Sequence, residues 1–210
     1  MLPYSLAAYF STVARMNADL WWAAMILVTL AALLALAALS PRGDPAQRIS
    51  AVALAATWLT SGWSFYGTYL DALFFAAPWF LWAYTAQAAL LALLALAPSP
   101  RLEPRSGPVL WLGLAVMALA VAGLPALETL LRDGWPAVRV VGLSPEPTLM
   151  LTCGWLLTRR LGIWTVALAV IPIAGGVAAA YSAVALAWQP DWLVTAAAAL
   201  VVIAPPLGKR

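Results

Sequence analysis

The residues able to do chemistry crowd into one short stretch. Between positions 128 and 148 the chain places Glu128, Arg132, Asp133, Arg139, Glu146 and Thr148 around Gly134-Trp135-Pro136 and Pro145-Glu146-Pro147, while most of the remaining sequence is long apolar runs. Carboxylates and guanidiniums gathered in an apolar setting do one of two things. They hold a charged or hydrogen-bonding ligand, or, where two acids converge, they pass protons as an acid–base pair. Glu128, Asp133 and Glu146 are the acids available for the second task, which in glycosidase pairs needs separations of about 5 to 9 Å. Other chemistries lack their parts. There is no histidine, and Cys153 is the only cysteine, so the usual haem ligand, zinc cluster, neutral-pH proton shuttle and disulfide have no residues to build them, and no metal or cofactor is expected. Ser144 has no histidine to activate it, and Cys153 reads as a small apolar residue in a helix.

The elements that must position these groups are membrane helices. Of 210 residues 65% are hydrophobic and 9% charged, with a mean hydropathy of +0.93; soluble domains carry roughly a quarter charged residues. Apolar runs near the roughly 20 residues needed to cross a bilayer recur along the whole length, which does not fit a cleaved signal ahead of a soluble domain. The expected architecture is all-α, a polytopic membrane helical bundle forming a single transmembrane domain over 1–210. Residues 1–19 form an interfacial amphipathic helix, with Leu6, Phe10, Val13 and Leu20 at helical spacing. About seven spans follow, at 20–39, 49–69, 74–97, 109–131, 148–157, 163–188 and 192–204. In span four Glu128 and Arg132 stand at i and i+4, so an ion pair between them is expected.

The fifth span is too short. Pro145 and Pro147 are not residues for a helix interior, so the helix is expected to begin no earlier than Glu146 and to end before Arg159-Arg160. Ten residues from Thr148 to Leu157 make about 15 Å of helix against a hydrocarbon core of about 30 Å. If this segment crosses, eight of the eleven Lys and Arg residues fall on one face (Arg42, Arg48, Arg101, Arg105, Arg159, Arg160, Lys209 and Arg210), leaving Arg15, Arg132 and Arg139 on the other. If it is re-entrant, the split is four to seven. The tendency of basic loops to stay in the cytoplasm favours crossing, with the amino terminus outside and the carboxyl terminus in the cytoplasm of a bacterial inner membrane. The path must then be completed by irregular backbone, which lipid does not tolerate unless protein or water shelters it. Residues 138–147 are therefore expected to dip inward from the outer face and aim the start of the fifth helix into a polar pocket. Such a helix start favours an anion or a carboxylate, a place that Glu146 can itself take.

A second polar surface runs along span two. Thr57, Thr60, Ser61 and Ser64 sit at i, i+3, i+4 and i+7, and Trp63, Tyr66 and Tyr69 continue the stripe. Ordinary interhelical hydrogen bonding accounts for such a stripe, and a ligand pathway is the alternative. With Asn17, Asp71, Glu128, Arg132, Arg139 and Glu146 these rings outline an outward-facing cavity able to hold an amphipathic or cationic molecule. Around Gly175 and Gly176, small residues four apart offer a close-packing face, and Pro172 is expected to kink span six. Lys209, the only lysine, lies beyond the last span, so seven helices here do not imply a retinal Schiff base.

At Asn17-Ala18-Asp19-Leu20-Trp21, Gly134-Trp135-Pro136 and Gly142-Leu143-Ser144-Pro145-Glu146-Pro147-Thr148 the chain resembles a family of bacterial multi-span membrane proteins known only as a domain of unknown function. The likeness implies the same order of motifs along nearly the whole chain and brings no activity with it. From the residues, the expected function is binding or transport of a small amphipathic or charged molecule, without catalysis. The alternatives are an accessory subunit of a larger membrane complex, and an intramembrane enzyme using the outer carboxylates. Expected partners are the lipid bilayer, a small-molecule ligand or a membrane-complex partner; the basic residues flank apolar runs, as membrane orientation requires, and nucleic acid is not expected.

Overall fold

The computed structural model describes residues 2–38, 44–97, 103–132, 134–160 and 162–207. Among these the chain is almost entirely helical. Ser5 caps α1 (Leu6–Asp19) by accepting from the Ala8 N–H, and the face of α1 carrying Tyr9, Phe10, Val13, Met16 and Asn17 is buried. At Leu20 the chain turns through 92° into α2 (Trp21–Ala38). The next helix, α3 (Asp44–Ser61), widens into a π-helix over Gly62–Tyr69. Turns occupy residues 70–76, so α4 (Ala77–Leu96) starts three residues later than the pattern of apolar residues predicts, with Pro78 in its first turn.

The helix α5 runs from Pro108 to Leu131. Its turn at Leu119–Gly123 is π-helical, just ahead of Pro125. Proline removes one helical donor, and the widened turn before it absorbs the misfit. Beyond it come α6 (Pro145–Thr158), α7 (Ile163–Ala185, with Pro172 inside it) and α8 (Asp191–Leu207). Three of these helices, α4, α5 and α7, are long and apolar enough to cross a membrane, and α1 with α2 makes a fourth if the bent pair counts as one.

The short helix is the centre of the bundle. Every residue of α6 except Glu146 is buried, and α2, α3, α5, α7 and α8 all pack on it. Against α5 the approach is glycine to glycine: a Cβ on Gly154 would lie 2.7 Å from the Gly113 carbonyl oxygen and 2.8 Å from the Met117 nitrogen. Between α7 and α8, a Cβ on Gly176 would lie 2.3 Å from the Ala198 Cβ. Trp58 of α3 donates its indole N–H to Thr152 at 2.7 Å, a buried cross-link into α6. At the far end of α6, Arg159-Arg160 pairs antiparallel with Glu103-Pro104, and the Arg105 N–H donates to the Thr158 carbonyl at 2.9 Å. That pairing puts the end of α6 beside the start of α5, so the two helices run antiparallel.

Fourteen residues give α6 about 21 Å, against about 36 Å for the 24 of α5. The helix starts at Pro145, one residue earlier than the prolines were expected to allow, with Ser144 extended at its cap. Proline is tolerated there because first-turn N–H groups have no partner within the helix. The remaining length is covered by residues 138–144, which are non-helical and buried without exception.

A buried irregular segment must find partners for its backbone groups elsewhere, and four elements supply them. Asn17 of α1 donates to the Pro136 and Val138 carbonyls at 2.7 and 2.6 Å. Glu128 of α5 accepts from the Arg139 N–H at 2.8 Å. Thr60 of α3 donates to the Gly142 carbonyl, and the Gly142 N–H donates to Thr148 of α6, each at 2.8 Å. Gly142 has φ +83 and faces Leu27 of α2 so closely that a Cβ would lie 2.8 Å from the leucine Cδ1.

Candidate functional site

Arg139 enters from this segment and is fully buried. Three acids surround it. Its Nε contacts Glu128 Oε1 closely, and its Nη1 donates to Asp191 Oδ1 at 2.7 Å and lies 3.3 Å from Glu146 Oε1. Glu128 comes from α5, Glu146 from the first turn of α6 and Asp191 from the start of α8, so a single guanidinium ties three helices together. Two of the acids approach the same Nη1 and are therefore close neighbours of each other. A second guanidinium, that of Arg132, lies 4.2 Å from the Phe10 ring centroid, and the Arg139 guanidinium lies 5.8 Å from the same centroid. Arg132 is in no ion pair among the described residues.

Beside this cluster opens a cavity of about 290 Å³. Glu146 and Asp191 form part of its wall, and aromatic rings form a large share of the rest, among them Tyr4, Tyr9, Phe65, Tyr66, Phe74, Phe80 and Tyr84. Tyr9 donates to Glu146 Oε1 at 2.6 Å. The other carboxylate oxygen, Oε2, is buried and has no partner among the described residues. Tyr4 stacks on Tyr9 at 6.1 Å and meets Phe74 edge-on at 5.8 Å, while Tyr66 stacks on Phe80 at 5.1 Å. Burial pushes the Tyr4 phenol above its ordinary value, and the charges of Glu146 and Asp191 add to the rise, so it stands at the cavity as a neutral hydroxyl. Leu149, Gly175 and Ala179 supply an apolar floor. The arrangement can hold a positive group against a carboxylate and ring faces, with an apolar body beneath it.

Of the residues singled out from sequence, Glu128, Arg139 and Glu146 come together, and Tyr66 lines the cavity. Arg132 stands beside them over Phe10 and Trp188 and does not pair with Glu128 as the i, i+4 spacing predicts. The reason is local: α5 ends at Leu131, Arg132 is extended (φ −142°, ψ −163°), and its side chain leaves the face that Glu128 occupies. Thr148 and Asn17 hold the irregular segment and do not face the cavity. Trp63 is half exposed and packs edge-on to Trp82, and Tyr69 donates to Asp19 at 2.9 Å. Neither continues the stripe: six and twelve residues after Thr57, at about 100° per residue, they stand about 120° away from it on either side. Asp133 lies outside the described residues. Thr57 and Thr60, on the polar stripe of α3, donate to backbone within α3, and Thr60 also to the Gly142 carbonyl of the irregular segment.

The start of α6 is a weaker anion receptor than expected, because Pro145 and Pro147 remove two of its first-turn N–H groups and the neighbouring cavity wall is acidic. Sequence reasoning missed Asp191, Tyr4 and Tyr9 as parts of the site. Asp191 was visible only as the acid heading the last helix, and Tyr9 only as a member of the buried stripe of α1.

Residues 6–206 match the model of a family of unknown function, DUF6064. No curated protein and no solved structure matches the chain. Since the match spans nearly all of the sequence, the chain belongs to that family.

Proposed function

We propose that this member of a family without an assigned activity is a seven-span membrane protein that binds a small amphipathic cation in the cavity beside Glu146. The seven crossings are α2, α3 with its π-helical end, α4, α5, α6 with the segment ahead of it, α7 and α8. Their outward surfaces carry large exposed apolar side chains, among them Trp21, Trp22, Trp79, Trp82, Val166 and Val177, which suit lipid. The cavity lies at the end of the bundle that holds Arg15, Arg132 and Arg139, the minority of the basic residues, and by charge bias that end faces outward.

One observation carries the ligand class: an aromatic-lined cavity walled by two acids, in which Glu146 Oε2 is buried with no partner among the described residues. A buried acceptor without a donor is costly, and an ammonium or similar head group is the ligand that relieves it. The test uses purified protein in lipid nanodiscs, with tryptophan fluorescence reporting thermal unfolding. Benzyltrimethylammonium should raise Tm saturably and benzenesulfonate should not, and Glu146→Gln should weaken cation binding at least tenfold. Equal effects of cation and anion, or no cation effect, would refute the proposal.

A further inference from the structure

We propose that the cavity is a proton–cation exchange site, in which one proton leaves the Glu128–Glu146–Asp191 cluster for solvent as one monovalent organic cation enters beside Glu146. The inference rests on the ligand class proposed above and concerns what binding does to the charge already there.

The charges around the cluster can be counted element by element among the described residues. Glu128 comes from α5, Glu146 from α6 and Asp191 from α8, while Arg139 comes from the irregular segment and Arg132 from the end of α5. The remaining titratable groups at the cavity are phenols: Tyr4 ahead of α1, Tyr9 on α1, Tyr66 on the π-helix, Tyr84 on α4 and Tyr181 on α7. Phenols are neutral at physiological pH and add no charge. Three carboxylates against two guanidiniums leave one negative charge in excess.

Uncompensated charge among buried side chains is strongly disfavoured. Two states cancel it: a proton on one of the three acids, or a cation in the cavity. Glu146 and Asp191 sit on the same Nη1 and both reach the cavity wall, so a proton on the cluster and a cation in the cavity cancel the same negative charge. A cation joining a still-protonated cluster would create an excess positive charge, and an empty unprotonated cluster an excess negative one. Either imbalance couples the two binding events with opposite sign. Affinity for the cation then rises tenfold per pH unit while the empty site is protonated, and levels off once it is not.

Titration calorimetry of benzyltrimethylammonium into the nanodisc-embedded protein, in pairs of buffers with different ionisation enthalpies, reads both the affinity and the protons released. The expected result is about one proton per cation on the acid side, with Kd falling about tenfold per pH unit and then flattening. Cation binding with no proton release and a flat Kd across about pH 5 to 9 would overturn the exchange and leave the binding pocket standing. No cation binding at any pH would overturn both. Glu128→Gln removes one negative charge from a residue that does not line the cavity, so it should abolish proton release, flatten the pH profile and weaken binding. Asp191→Asn should flatten the profile in the same way and serves if the first variant does not fold. Retention of the wild-type pH profile in a folded variant of either kind would overturn the proposal.

Discussion

Replacing Arg139 by methionine is the sharpest perturbation of the charge cluster, because it keeps a long side chain in place and removes the cation that three acids share. With Arg132 the one guanidinium left nearby among the described residues, two protons are needed to neutralise the acids where one served before. Taking up that extra proton from a carboxyl of ordinary solution value near 4.3 costs about 3.7 kcal/mol at pH 7. The charge-assisted hydrogen bonds to Glu128 and Asp191 are also lost, at about 1.5 to 3 kcal/mol each before relaxation. The expected loss is therefore about 7 to 10 kcal/mol before relaxation, comparable with the whole stability of an ordinary protein, about 5 to 15 kcal/mol. The sign with pH follows from proton counting. The folded variant binds more protons than its unfolded chain, so its stability falls as pH rises and recovers on acidification by about 1.4 kcal/mol per unit relative to wild type. Unfolding in mixed micelles of dodecyl maltoside and dodecyl sulfate, followed by tryptophan fluorescence at pH 7 and pH 5, measures both numbers. A loss under about 1 kcal/mol at pH 7, or one that does not change between the two pH values, would refute this account of the cluster.

Three further outcomes check the packing that positions the site. Gly154→Ala drives a Cβ into the backbone of α5 at 2.7 and 2.8 Å and should cost about 1 to 3 kcal/mol or more, whereas Gly175→Ala meets mainly the mobile end of Leu149 and should cost less than about 1 kcal/mol in the same micellar assay. Asn17→Ala leaves the Pro136 and Val138 carbonyls unpaired; we expect a loss of about 2 to 3 kcal/mol and faster hydrogen exchange over residues 136–144 than elsewhere, measured by mass spectrometry. Cys153 is buried in α6, so a membrane-permeant maleimide should label it only on unfolding, at a rate that tracks the micellar unfolding transition.

Much of the helix order was legible because apolar length and proline placement act locally. The brevity of α6 followed from Pro145, Pro147 and Arg159-Arg160, and with it the demand for sheltered irregular backbone, which residues 138–144 meet by burial. The bonds that satisfy that backbone were not legible. Asn17 and Thr60 lie 119 and 82 residues from the carbonyls they reach, and no spacing rule spans such separations. The face assignment in α3 failed for a different reason: at about 100° per residue Trp63, Tyr66 and Tyr69 stand about 240°, 180° and 120° round from Thr57, off the stripe they were read as continuing. Trp63 and Tyr69 were thus carried onto a face they do not occupy, while Tyr66 reached the cavity.

The charged residues show where such reading stops. An acid deep in an apolar run must have a partner, so Glu128 was marked as significant without its environment being known. The i, i+4 rule then offered Arg132, and that offer presumed the helix continued. It ends one residue earlier, and Arg139, supplied by chain with no periodicity at all, takes the place. Asp191 illustrates the complementary case: in sequence it is only the acid after Gln189-Pro190 that heads the last helix, and only the packing of α8 against α6 brings it to the same guanidinium. A cluster assembled from helix ends and one irregular segment has no repeat to betray it. Its charge balance is nonetheless constrained by burial, and that constraint, rather than any motif, is what makes proton-linked cation binding a testable consequence of the fold.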